Sequence, residues 1–171
     1  MIRRNANRTI SGAILDGEGF AEGLTSAGHQ IDDKNCVLYG AGGAASAIAF
    51  ALAKRKCRSL CIVNRTQSKA DSLAKRLQSQ YAELKIFTEI SKNEPVDIAI
   101  NATNQGMKTA DQLPIPLEVI DRAKLVAECV IAPEITPLIV SARSRGCLTH
   151  TGMPMLTEQL HPMLNFMGVK R

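Results

Sequence analysis

Residues 40–45, with the sequence GAGGAA, have the types and spacing that a phosphate-binding turn requires. They fit G-x-G-x-x-A, the form of the dinucleotide-binding fingerprint that ends in alanine. Gly40 would permit a tight turn, Gly42 would let the backbone approach a pyrophosphate, and Ala45 would let a helix pack closely on its strand. Glycines also serve in ordinary turns. This run lies between a predicted strand and a predicted helix, however, which favours the phosphate-binding interpretation.

The polar residues after the second predicted strand indicate which dinucleotide would bind. An NAD site usually places an acidic residue there, whereas this chain has Asn64, Arg65 and Thr66. Lys69 follows four residues after Arg65, so a helix starting here would turn both cations toward one corner. The alternative is a pair of solvated charges, but cations at a helix start oppose its dipole. Because Arg65 and Lys69 suit a 2′-phosphate, we expect NADP(H) to be preferred over NAD(H).

Short apolar runs alternate with helical patterns and would position these residues. Strands are predicted at 36–39, 60–63, 84–87, 96–100, 124–130 and near 147–149, and helices at 44–53, 68–80, 135–145 and 154–167. The apolar runs are too continuous for a sheet with one wet face, so we expect a doubly wound parallel sheet covered on both sides. Residues 1–30 read as a leader, a turn followed by a helix from Gly17 to about Ala27.

Composition excludes several classes of protein. A chain that is 45% hydrophobic and 22% charged is typical of a globular domain. No apolar run approaches the ~20 residues of a membrane span, and no apolar stretch follows the basic N-terminus, so we expect a cytoplasmic protein without membrane contact. The net charge of +5 is scattered and aromatics make up only 4%, which argues against nucleic acid as a partner. The five cysteines show no zinc-like spacing, so we expect free thiols and no metal.

Five motifs occur in the order seen in shikimate dehydrogenases. They are GAGGAA at 40–45, Asn-Arg-Thr at 64–66, Asn-Ala-Thr at 101–103 with Gly106-Met107, Thr-Pro-Leu at 136–138, and Met155 to Gln159. From about Gly12 to Gly168 the chain resembles the C-terminal NADP-binding domain of that family. The resemblance implies an α/β fold, a Rossmann-type doubly wound parallel sheet in three layers, which we expect to span residues 1–171 as one domain.

The resemblance also implies roles for individual residues. Asp16 matches an aspartate that pairs with a catalytic lysine, although the residue alone would read as a helix N-cap before Gly17. Gln159 matches a substrate-binding glutamine. Met155 matches a methionine lining the nicotinamide pocket; its alternative is a core position on an amphipathic helix. The predicted cofactor-binding residues are Gly40, Ala41, Gly42, Gly43, Ala44, Asn64, Arg65, Thr66, Lys69, Asn101, Ala102, Thr103 and Met155.

Departures from the family pattern affect the substrate. Leu15 stands where the family has threonine, Ile131 replaces a tyrosine, Ala132 an asparagine and Asn104 a proline. Aliphatic side chains thus stand where the resemblance implies polar substrate contacts, and we expect residues 1–171 to lack the family's N-terminal domain with its catalytic lysine. The resemblance implies NADP-dependent hydride transfer to or from a shikimate-like alicyclic hydroxy or keto acid, in aromatic amino acid biosynthesis. The alternative is a non-catalytic NADP(H) sensor or regulatory domain. An exposed cleft wall would allow a homodimer.

Overall fold

The computed structural model describes residues 1–108 and 112–169, and its centre is a six-stranded parallel sheet. The strands of the described residues are β1 (Ile2–Arg4), β2 (Ile10–Gly12), β3 (Asn35–Tyr39), β4 (Ser59–Val63), β5 (Lys85–Phe87), β6 (Val96–Asn101), β7 (Ala123–Glu128) and β8 (Leu148–His150). The sheet order is β5-β4-β3-β6-β7-β8. The chain moves outward from β3 to β5 and then returns to the other side of β3 with β6. Ligands of such sheets bind where the order reverses, at the carboxyl ends of β3 and β6.

Helices cover both faces of the sheet, which confirms the predicted three-layer Rossmann-type fold. The helices of the described residues are α1 (Asp16–Ser26), α2 (Gly43–Lys54), α3 (Gln67–Gln78), α4 (Leu117–Ile120), α5 (Pro137–Ser144), α6 (Met153–Thr157) and α7 (Leu160–Met167). Residues of α1, α2 and α3 share one apolar core, and residues of α4 and α5 share the other. In those described residues, no helix has the length and apolar character needed to cross a membrane.

The central strand β3 shows why both faces must be covered. Cys36 and Leu38 point into the core beneath α1, α2 and α3, whereas Val37 and Tyr39 point into the core beneath α4 and α5. Alternate residues of a strand face opposite sides, so an apolar run leaves no side for water. Full burial of a side chain such as Leu38 contributes roughly 1.5–3 kcal/mol.

Four local features differ from the sequence-based expectations, one of which is the short helix α4, which was not predicted. β1 and β2 form an antiparallel hairpin that was not predicted, so the first 30 residues are not purely helical. Helix α1 begins at Asp16, with Leu15 at the cap position and no side-chain cap, so the N-cap interpretation of Asp16 is wrong. The helix predicted over 154–167 is divided into α6 and α7. Pro162 lies in the first turn of α7 and has no N–H to donate to the preceding turn, which explains the division.

Helix α1 packs against its neighbours through three glycines. A Cβ on Gly17 would collide with the carbonyl of Ala47 in α2, and one on Gly19 would collide with the carbonyl of Met155 in α6. A Cβ on Gly23 would lie 2.9 Å from the Cβ of Pro154. The backbone of α1 therefore lies directly against α2 and α6, which fixes the position of Asp16.

Candidate cofactor site and its surroundings

Gly40 is required by the fold itself. Its φ of +121° lies in a region that residues with a side chain rarely adopt. A Cβ there would also lie only 2.6 Å from the carbonyl oxygen of Ala102. Gly40 therefore turns the chain at the end of β3 while its backbone lies close to the end of β6, as the fingerprint predicts.

Gly42 and Gly43 have no such structural requirement. A Cβ on either would meet nothing within 4 Å, and the φ of −83° at Gly42 is ordinary for any residue. Both glycines border a cavity of about 730 Å³ over the exposed side of α2. Helix α2 has no side-chain cap and no acidic residue in its first turn. Its first N–H groups are thus open to an anion, and the bare backbone fits a pyrophosphate.

The predicted 2′-phosphate corner forms a cavity of about 300 Å³ beside this turn. Arg65 and Lys69 both line it together with Gly40, so the structure brings the two cations to the same corner. Asn64 shapes the corner by donating from Nδ2 to the carbonyl of Thr66 at 2.9 Å. Within residues 1–108 and 112–169, neither Arg65 nor Lys69 forms an ion pair. Two exposed, unpaired cations at one opening suit a doubly charged anion.

The loop after β6 forms the opposite wall of the same cavity. Thr103 and Gln105 line the cavity, whereas Asn101 is fully buried beneath them and Ala102 is 9% exposed. Oδ1 of Asn101 accepts from the backbone N–H of Thr103 at 3.0 Å and from its hydroxyl at 2.7 Å. Nδ2 of Asn101 donates to the carbonyl of Gln105 at 3.0 Å. Of the three residues predicted here, Thr103 faces the cavity, and Asn101 supports the wall from inside.

Glu128 is the residue that sequence reasoning missed. It ends β7 directly opposite Asn101 and is fully buried. Its Oε1 accepts from Nδ2 of Asn101 at 2.8 Å and from the N–H groups of Cys129 and Val130 at 2.9 and 3.0 Å. Its Oε2 accepts from the hydroxyl of Thr136 at 3.0 Å. Burial raises the pKa of the Glu128 carboxyl, and these hydrogen bonds oppose that rise. The sequence signal that could have identified Glu128 is a single acidic residue within an apolar run.

Thr136 connects this network to α5. Its hydroxyl accepts from the N–H of Ile139 at 3.3 Å, and Pro137 occupies the first turn of the helix. An N-cap threonine followed by proline is a common helix start. The Thr-Pro-Leu motif therefore has a direct structural role, which is to begin α5 and to hold the second oxygen of Glu128.

The residues predicted for substrate chemistry lie around α1 and away from the cavity of Arg65. Asp16 is partly exposed, and burial raises the pKa of the Cys129 thiol after β7, with smaller contributions from the charges of Glu128 and Asp16. Gln159 is 9% exposed, donates from Nε2 to the carbonyl of Met155 at 2.9 Å, and packs on Gly19. Met155 is buried in the core with residues of α1.

Comparisons with known proteins agree with this architecture. The family model described as "Shikimate / quinate 5-dehydrogenase" matches residues 22–112, which are 91 of the 171 residues. A protein of Moorella thermoacetica named shikimate dehydrogenase (NADP(+)) is 35% identical over 162 residues, which cover 91% of this chain and 55% of the relative.

Two solved structures extend the comparison. Shikimate 5-dehydrogenase of Thermus thermophilus, in complex with NADP(H) and shikimate, is 27% identical with a TM-score of 0.79, and the match covers 98% of this chain and 61% of that one. The ligand-free 5-ketofructose reductase of Gluconobacter sp. strain CHM43 is 28% identical with a TM-score of 0.83, and the match covers 98% and 62%. The chain spans about half the length of the curated relatives it matches. It belongs to the shikimate / quinate 5-dehydrogenase family.

Proposed function

We propose that this chain is the NADP(H)-binding part of an oxidoreductase that acts on a shikimate-like alicyclic hydroxy or keto acid. The observation that carries the proposal is that two cations, Arg65 and Lys69, line one cavity with Gly40 of the predicted phosphate-binding turn. A relative named for NADP(+) and a neighbouring structure holding NADP(H) and shikimate support it.

The residues of the two cavities divide the cofactor between them. The N–H groups of Gly42, Gly43 and Ala44 would bind the pyrophosphate at the positive end of α2. Arg65 and Lys69 would bind the 2′-phosphate, with Asn64 and Thr66 shaping the turn. The other predicted contacts along the dinucleotide are Ala41, Ala102, Thr103 and Met155. When bound, NADP(H) supplies the nicotinamide carbon that gives or takes the hydride.

Asp16 and Gln159 would serve the substrate. The partly exposed Asp16 carboxylate can hold a lysine ammonium for proton transfer, a lysine that the family resemblance assigns to the part of its members this chain does not cover. Gln159 would orient the acid. Leu15 and Ile131 put aliphatic groups where the resemblance predicts polar contacts, so the preferred acid would be less polar at that point than shikimate. A neighbour named 5-ketofructose reductase indicates that this architecture serves more than one substrate.

The same aliphatic positions favour a second candidate, a non-catalytic NADP(H) sensor. The two candidates differ in turnover. An enzyme, in its natural full length, would oxidise a shikimate-like acid with NADP, and Asp16→Asn would abolish that oxidation. A sensor would bind NADPH tightly and show no turnover with any alicyclic acid.

The remaining proposals concern the protein's context. We place residues 1–171 together as one cofactor-binding unit in the cytoplasm, where its five free cysteines would stay reduced. Ile2, Ile10 and Ile14 are each more than 70% exposed, which offers an apolar surface for a homodimer. Light scattering over a concentration series would show a mass of one chain or of two.

The experiment that tests the proposed function is a comparison of two cofactors by calorimetry. NADPH should bind at least tenfold more tightly than NADH, because the 2′-phosphate adds charge-assisted hydrogen bonds to Arg65 and Lys69. The preference should shrink as salt is raised, since both cations are exposed. Equal affinity for the two cofactors would contradict the proposal.

A further inference from the structure

The carboxylate of Glu128 joins three segments beside the cofactor cavity. It accepts from the Asn101 amide at the end of β6, from the N–H groups that follow β7, and from Thr136 at the start of α5. The side chain has no exposed surface. A buried carboxylate with this many donors is held in one position.

Glu128 also determines how the Asn101 amide is oriented. The carboxylate can only accept at 2.8 Å, so the NH₂ group of Asn101 must face it. The backbone N–H of Thr103 can only donate, so the amide oxygen must face Thr103 at 3.0 Å. A flipped amide would place donor against donor and acceptor against acceptor. The acid therefore fixes the amide, and the amide fixes the loop that carries Thr103.

Stability alone does not explain an acid at this position. Burial of a carboxylate costs free energy, and well-packed apolar residues often replace buried charges without loss. Here the burial cost is visible as a raised pKa of the Glu128 carboxyl. An apolar residue could not accept from these four donors, and it could not give the Asn101 amide one defined orientation.

We propose that Glu128 is a positioning residue for the cofactor: through Asn101 it holds residues 101–105 in the shape that presents Thr103 to the dinucleotide. The proposal rests on the proposed function, since Thr103 and Gln105 line the cavity assigned to NADP(H). Glu128 itself does not line that cavity. It acts on the ligand through the loop.

The test compares four proteins, namely the parent chain, Glu128→Ala, Glu128→Gln and Thr136→Val. Glu128→Ala removes every acceptor, whereas Glu128→Gln keeps an oxygen for the three N–H donors. Thr136→Val is the matched control, because it removes the bond to Oε2 and the cap on Ile139 but leaves Asn101 bound to Glu128. We expect Glu128→Ala to weaken NADPH binding at least tenfold, Glu128→Gln to stay within threefold, and Thr136→Val within twofold. Calorimetry is carried out under conditions in which unfolding curves show that each variant is folded.

A second measurement does not depend on the cofactor. Amide hydrogen exchange at Thr103 should speed up at least tenfold in Glu128→Ala and stay near the parent rate in Thr136→Val, because this N–H donates to Asn101. If Glu128→Ala does not fold, Glu128→Asp takes its place, since a carboxylate shorter by one methylene cannot hold all its donors.

The outcomes separate the two proposals. Parent-like NADPH binding by folded Glu128→Ala, or equal weakening in Thr136→Val, overturns the positioning role. No NADPH binding by the parent overturns the proposed function. Even then, hydrogen exchange at the Thr103 amide can test the loop. A parent-like exchange rate in Glu128→Ala would show that Glu128 does not hold the loop in place.

Discussion

The two walls of the candidate cofactor cavity are built in opposite ways. The wall after β6 is satisfied internally, because Asn101, Glu128 and Thr136 bond to one another and to the backbone out of contact with water. The wall after β4 has exposed Arg65 and Lys69, which have no ion-pair partner in the described part of the chain. Groups that bond each other hold a shape, and groups left without partners are free to bind a ligand. Mutations in the wall after β6 should therefore lower the free energy of unfolding, and mutations in the wall after β4 should weaken cofactor binding.

The largest effect should come from the internally bonded wall. Asn101→Ala removes a charge-assisted bond to Glu128 and the bonds to Thr103 and Gln105, so we expect the free energy of unfolding to fall by about 3 kcal/mol. Urea unfolding at pH 7 measures it. The control is Asn64→Ala on the other wall, whose amide bond is exposed and whose loss should cost less than about 1 kcal/mol. Equal losses in both variants would contradict the comparison.

The open wall should respond in affinity and not in stability. We expect Arg65→Ala combined with Lys69→Ala to weaken NADPH binding about 100-fold, because two charge-assisted contacts are lost. NADH binding should change less than threefold and the unfolding midpoint should stay the same. Lys75→Ala removes an exposed cation of α3 that lines neither cofactor cavity and serves as the control. If the double variant lost stability as well as affinity, Arg65 and Lys69 would contribute to folding and the comparison of the two walls would fail.

A third region sharpens the comparison, because it holds a buried polar atom with no partner. His150 at the end of β8 is 4% exposed, and within the described residues its Nε2 has no hydrogen-bond partner. Burial, with a smaller contribution from His29, lowers the pKa of His150 to about 4. The folded state thus binds the proton less readily than the unfolded state.

Stability should therefore fall with acid in a defined window. The contribution of neutral His150 is intact above the ordinary histidine pKa of about 6.5 and is lost as pH falls toward 4. We expect a loss of about 2 kcal/mol between pH 7 and pH 5 that is absent in His150→Phe. Urea unfolding at several pH values measures how the free energy of unfolding depends on pH in the parent and in His150→Phe. His29→Gln is the control. The idea fails if the parent and His150→Phe have the same pH dependence.

The sequence predicted the sheet, the phosphate-binding turn and the cation corner because each depends on local pattern. Alternation of apolar runs with helical periods fixes the layers, and glycine spacing fixes the turn. Glu128 depends on a partner 27 residues away in the chain, and its significance becomes visible only when β6 and β7 pair in register. The hairpin β1–β2 was missed because its strands have three residues each, which is too short for a periodic signal.

The glycines of α1 determine how precisely the two functional ends of the molecule are aligned. Gly17 places the helix backbone against α2, whose first turn is the proposed anion site, and Gly19 places it against α6, next to Gln159. Contacts between backbones leave no side-chain rotamers to absorb small displacements. We therefore expect Asp16, the start of α2 and Gln159 to keep fixed positions relative to one another. The alignment of the proposed acid–base group, Asp16, with the proposed cofactor site is in this way set by the helix contacts and does not have to be recovered each time a ligand binds.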